Sequence, residues 1–235
     1  MRIALLSTIE APYLGHIVAA LVRHEVVIDC VLFDPLNPSE KECKIEAART
    51  GGKFSPSPFW SFESLNIPGF HVKSHLSEAC FELIRGRKLD LLINAHTPRI
   101  LNSRILGAPR IGIINCHPGL LPDFRGCSCV EWAIFLDLQI GNTVHFMDAE
   151  IDTGPIILSE PLVFSKMDRY RDVRIAVYRE GFNLLGRATQ KIIKEDLHPE
   201  RLPPQKDGRL FKVIPEGKLE AVIEKLNRGE YAFQK

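Results

Sequence analysis

No run of the 235-residue sequence approaches the roughly eighteen apolar residues that a membrane-spanning helix needs. The opening MRIALLSTIEAPYL lacks the long apolar core and cleavage site of a secretory leader. An excess of one charge is missing too. Lys and Arg number 30 against 29 Asp and Glu, and a net charge of +1 supplies no global field to hold a nucleic-acid backbone. Six cysteines (Cys30, Cys43, Cys80, Cys116, Cys127 and Cys129) are sparse for a disulfide scaffold, and several lie in apolar runs. They are expected to be reduced and mostly buried. With no internal repeat and no low-complexity tract, the expectation is a soluble cytoplasmic chain with neither a membrane nor a nucleic-acid partner.

What is present is an ordinary globular composition, 45% hydrophobic and 25% charged, at a length that allows one large domain and a small remainder. Apolar runs predict strands at residues 2–7, 26–33, 70–72, 89–95 and 111–115. Between them, Leu14, Ile17, Val18, Leu21 and Val22 recur at helical spacing, and helices are also predicted over 39–49 and 76–86. Buried strands alternating with helices predict an α/β fold with a largely parallel sheet. Gly51 to Pro68 has no period and carries Phe59, Trp60 and Phe62, so a long loop is expected. Ile175, Tyr178, Phe182, Leu185 and Ile192 mark one face of a long helix. The composition shifts after His198-Pro199, which divides the chain into a domain over 1–198 and a short appendage over 199–235.

Two segments carry chemistry. In NCHPGLLPDFRG, residues 115–126, Asn115 and His117 stand two apart at a strand end, so they project to one face while Cys116 faces the other. The carboxyl edge of a parallel sheet is where ligands bind. In TVHFMDAEIDTGP, residues 143–155, a strand puts Thr143, His145 and Met147 on one face, followed by Asp148, Glu150 and Asp152. A calcium loop fails, because Thr153 and Ser159 stand where Gly and Glu are required. A zinc site from Cys116, His117, Cys127 and Cys129 lacks the usual ligand gap, and no metal is expected. Ser128 and Glu131 fit a capping box that would start a helix.

These two segments, with PRILNSRIL at residues 98–106, resemble the formyltransferase family that uses 10-formyltetrahydrofolate. The resemblance implies a Rossmann-like α/β fold and a catalytic trio of Asn115, His117 and Asp152. It also implies a pterin slot formed by Arg99, Ile100 and Leu101 with Ala149, Glu150 and Ile151, through backbone groups, and an Arg125-Gly126 step. His145 matches a recurrent position and reads as structural support. Gly119 stands where many members carry Ser, which is expected to loosen the turn after His117.

The acceptor amine follows from what is missing. STIEAPY, residues 7–13, has no glycine where glycinamide ribonucleotide transformylases hold a phosphate. From the length, neither the tRNA-binding barrel of methionyl-tRNA formyltransferases nor the regulatory module of cofactor deformylases is expected. The expected substrate is an amino sugar linked to a nucleotide, with Phe54 to Phe62 and the appendage shaping its site; a homodimer is compatible with this. The alternatives are another small amine, such as glycinamide ribonucleotide, an amino acid or a carrier-bound peptide, or a folate-fold binding protein without turnover.

Overall fold

A computed structural model describes residues 1–54 and 66–235; the expected aromatic loop residues Phe59, Trp60 and Phe62 lie outside the described residues. The first half of the chain runs β1 (Ile3–Thr8), α1 (Leu14–Arg23), β2 (Cys30–Asp34), α2 (Glu40–Thr50) and β3 (Gly69–His71). It continues through α3 (Glu78–Gly86), β4 (Leu91–Asn94), α4 (Ser103–Leu106) and β5 (Gly112–His117). The second half adds β6 (Phe124–Gly126), α5 (Cys129–Phe135), β7 (Gly141–Phe146), β8 (Ile156–Pro161), α6 (Tyr170–Glu195), β9 (Arg209–Phe211) and α7 (Glu216–Arg228).

The described residues form a seven-stranded sheet ordered β3-β2-β1-β4-β5-β7-β8. Its first five strands are parallel, and β7 and β8 join antiparallel. Alternation along each strand feeds two cores. Ile3, Leu5, Leu91, Ile93, Ile114, Val144 and Phe146 pack with α1 and α6. On the opposite face, Ala4, Leu6, Leu92 and Ile113 pack with Cys80 and Ile84 of α3 and Ile105 of α4. Burial on both faces accounts for the unbroken apolar runs. The fold is therefore α/β with a mostly parallel sheet flanked by helices.

A third core joins α5, the start of α6 and α7 through Val130, Ile134, Val173, Val177, Val222 and Leu226. Residues 199–235 are stitched to the rest by β9, which pairs in parallel with β6. Gly126 sits in that ladder at a φ of 89°, and a Cβ there would collide with the Phe211 carbonyl, so glycine is required for both conformation and space.

The Ser-x-x-Glu pattern caps one helix and not the other. At α2, the Ser39 hydroxyl accepts from Glu42 N while the Glu42 carboxylate accepts from Ser39 N at 2.7 Å, a complete capping box. At α5, the box expected from Ser128 and Glu131 does not form. Ser128 is left-handed, with a φ of 53°, and its side chain makes no cap hydrogen bond. Glu131 is instead buried against two arginines. Its Oε1 accepts from the Tyr170 hydroxyl at 2.7 Å and lies 3.4 Å from Arg49 Nε and 3.7 Å from Arg174 Nε. Ion pairing with buried Arg174 and half-buried Arg49 outweighs a cap.

Candidate active site

The end of β5 projects Asn115 and His117 away from α6, and the register of β7 sets His145 opposite Asn115 and Thr143 opposite His117. Cys116 points the other way, with Sγ 3.2 Å from the Gly181 carbonyl of α6, and burial pushes its thiol up to about 12. Thr143 ties down the turn after His117: its hydroxyl donates to the Gly119 carbonyl at 2.7 Å and accepts from Leu121 N at 3.1 Å. Gly119 leaves room beside the imidazole. A Cβ there would come within 2.7 Å of His117 Nε2.

Asp152 arrives from the loop after β7. Asp148 shapes that loop by accepting from Glu150 N and the Thr153 hydroxyl. Asp152 itself is left-handed, with a φ of 56°, and a Cβ on Gly154 would strike the Phe146 carbonyl. Its carboxylate accepts from Gly126 N at 2.9 Å, faces His117 Nδ1 at 3.3 Å and faces His145 Nε2 at 3.5 Å. His145 Nε2 is in turn 3.4 Å from Asn115 Nδ2. The structure thus brings Asn115, His117 and Asp152 together, with His145 as the link between the amide and the carboxylate.

Burial opposes the Asp152 charge, but His145, His117 and the Gly126 N–H outweigh it and hold the carboxyl below its ordinary range. For His117 the balance reverses. Burial lowers the imidazole pKa against the attraction of Asp152. His117 Nε2 lies 2.8 Å from the Phe124 carbonyl and must leave it to meet a ligand.

The expected pterin-slot residues divide. The Arg99 side chain is committed to buried Asp34, with Nε and Nη2 both at 2.9 Å. Leu101 is buried in the core beside α4. Ile100 is 83% exposed and Ile151 52%, so both offer apolar surface, and Ala149 and Glu150 are exposed beside Ile151.

Residues 1–189 match the family model described as formyl transferase. The chain belongs to the formyl transferase family. A methionyl-tRNA formyltransferase from Trichodesmium erythraeum is 27% identical over 152 residues, covering 63% of this chain and 45% of that protein. The chain thus spans about half the length of the curated relatives it matches. Glycinamide ribonucleotide transformylase 1 from Symbiobacterium toebii superposes with a TM-score of 0.66 at 22% identity, covering 88% of this chain and 94% of that one. A sugar N-formyltransferase from a Shewanella species gives 0.59 at 22% identity, covering 91% and 77%. These likenesses establish the formyltransferase fold.

Sequence reasoning missed two residues of this formyltransferase-family site. Asn94, at the end of β4, donates to Asn115 Oδ1 at 2.9 Å. Gln205 donates to the carbonyls of Asp152 and Gly154 at 3.2 and 2.6 Å, and accepts from Arg125 at 3.3 Å. A lone amide carries no motif; only its placement beside the site reveals it. Among the described residues no group of His, Cys, Asp and Glu could hold a metal ion, and no helix is long and apolar enough to cross a membrane.

The buried histidines make stability depend on pH. Burial lowers the pKa of both His75 and His117 below the ordinary 6.5. The unfolded chain therefore binds protons first as the pH falls, and stability drops from about 6.5 down through the depressed folded values. The melting temperature is expected to fall between about pH 7.5 and 5.5, and His75→Gln to flatten that slope. A flat profile in the parent protein would contradict the assignment.

Proposed function

We propose that this chain transfers a formyl group from 10-formyltetrahydrofolate to a primary amine. The observation that carries this reading is the convergence of Asn115, His117, His145 and Asp152 at the carboxyl edge of the sheet, linked by contacts of 3.3 to 3.5 Å. The set contains no nucleophile of its own, which suits a reaction in which the substrate amine attacks. An Asn115 N–H is suited to the oxygen on which charge builds, a preorganised contact worth a few kcal/mol. His117, once free of the Phe124 carbonyl, can take the proton the amine sheds and pass it to the folate nitrogen as the bond from that nitrogen to the formyl carbon breaks, and the Asp152 carboxylate would steady the imidazolium in between.

The residues present fit the folate co-substrate. Exposed Ile100 and Ile151 offer apolar surface to a flat ring, and the backbone of residues 149–151 offers polar groups. The co-substrate would supply the formyl carbon that the amine attacks.

For the acceptor, the reading extends to an amino sugar linked to a nucleotide. The turn after β1 supports it against a substrate phosphate held on a backbone cradle. Ala11 N and Leu14 N are bonded to carbonyls of the turn itself, and the Tyr13 ring packs on Tyr178 and Phe54 at 4.7 and 5.6 Å. Incubation with 10-formyltetrahydrofolate and a panel of nucleotide-linked amino sugars, glycinamide ribonucleotide, amino acids and charged tRNA should give a mass gain of one formyl group on an amino sugar. Formylation of another amine alone would remove the sugar assignment. No formylated product from any amine would remove the reaction.

A further inference from the structure

Asn94 stands beside the point where the strand order reverses, between β1 and β4. The orientation of its carboxamide follows from the backbone. Thr97 N can only donate, and it does so to Asn94 Oδ1 at 2.8 Å. The atom facing Asn115 at 2.9 Å is therefore Asn94 Nδ2, a donor, and Asn115 must answer with Oδ1. Asn115 Nδ2 is thereby turned toward His145 Nε2, at 3.4 Å. His145 Nδ1 is 2.8 Å from the Phe146 carbonyl and so carries a ring hydrogen, while Nε2 lies between Asn115 Nδ2 and the Asp152 carboxylate, at 3.4 and 3.5 Å. The donors run one way from Thr97 N through Asn94 to Asn115 Oδ1.

We propose that Asn94 is a positioning residue that fixes which way round the Asn115 carboxamide sits. With Oδ1 consumed by Asn94, the group left for a ligand at the half-buried Asn115 is its second N–H, the group an oxyanion requires. Without that constraint the amide can turn over and present oxygen to oxygen. The proposal rests on the reading of Asn115 as the oxyanion donor, yet it concerns a residue outside the family motifs quoted above.

Asn94→Asp tests it. The substitution keeps the size and the acceptor for Thr97 N but turns an acceptor toward Asn115. Asn115 then donates to it and presents Oδ1 to His145. The kcat is expected to fall about a hundredfold while KM for the amine moves less than about threefold. Asn94→Leu, which breaks both contacts without reversing either, should fall only about tenfold. A merely structural role gives the opposite order, because leucine disturbs the packing more.

Nitrogen-15 NMR of the histidines, with His145→Gln to assign the signal, reads the same event without turnover. The His145 Nε2 signal should move in N94D, because Asn115 then turns Oδ1 rather than Nδ2 toward it. Should the parent formylate none of the panel amines, the functional reading fails, and the NMR arm still decides the placement of Asn94. Parent values of kcat in N94D, an unchanged His145 spectrum, or a larger loss in N94L overturns the proposal. If N94D does not fold, N94L must lower kcat about tenfold and move the His145 Nε2 signal; parent behaviour in that variant overturns the proposal as well.

Discussion

Replacing Asp152 by alanine is expected to lower formyl transfer by about a hundredfold or more, read as kcat in a mass-spectrometric assay. The carboxylate is the point where the site meets: it faces His117 Nδ1 and His145 Nε2 and accepts from Gly126 N. Its loss removes the partner for a proton arriving on His117 and leaves a turn amide without its acceptor. Asp152→Asn separates charge from shape. It can still meet Gly126 N, but it offers no charge to an imidazolium, so a loss nearly as large is expected. His117→Ala should match it, and the double variant should be little worse than either single one, as for groups that act as a unit. An Asp152→Ala variant within about threefold of the parent would contradict the assignment.

The second large effect falls on stability. Glu131→Ala should cost about 3–5 kcal/mol, because it leaves Arg174 and Arg49 facing each other without a counter-charge. Glu131 is fully buried and Arg174 is 2% exposed, so water cannot substitute at Arg174, whereas the Arg49 side chain is 24% exposed. Burial works against the Glu131 charge, yet Arg174 and Arg49 hold its carboxyl below the ordinary range. For a chain of this size the loss corresponds to a fall of about 10 °C in melting temperature. Glu131→Gln keeps the volume and an acceptor for the Tyr170 hydroxyl, and should fall between parent and alanine. A melting temperature within about 2 °C of the parent for Glu131→Ala would show that the arginines find other partners. The network is not fully satisfied: Glu131 Oε2 and Arg174 Nε have no hydrogen-bond partner among the described residues. Breaking it is costly even so, since the penalty lies in the cations left behind.

The same residue shows where local pattern reading stops. Ser39-x-x-Glu42 and Ser128-x-x-Glu131 read alike in the sequence. The first is a capping box because it is exposed and nothing competes for its carboxylate. The second is not, because Arg49 and Arg174, dozens of residues away on α2 and α6, claim Glu131. The alternation of strands and helices was legible because burial on both sheet faces writes itself as apolar runs, and Leu14 to Val22 lie within α1. The opposed directions of Asn115 and Cys116 were legible for the same reason, since a strand's period of two is local. The burial of His117 was not, and only the folded site shows that desolvation lowers its pKa beside Asp152. Asn94 and Gln205 were invisible for want of a motif; each matters through a partner 21 or 53 residues away.

Gln205 has a consequence for the order of events as the chain is made. Asp152 and the loop around it are complete some fifty residues before the amide that holds their carbonyls has been synthesised. Strand β6, which presents the amide hydrogen to Asp152, likewise waits for β9, whose Phe211 pairs with Gly126. A nascent chain emerging from its amino end can therefore assemble the sheet while its acidic loop is still unclamped. A later-made segment sets the geometry of a much earlier one, so the site matures only once residues 205–211 have been added.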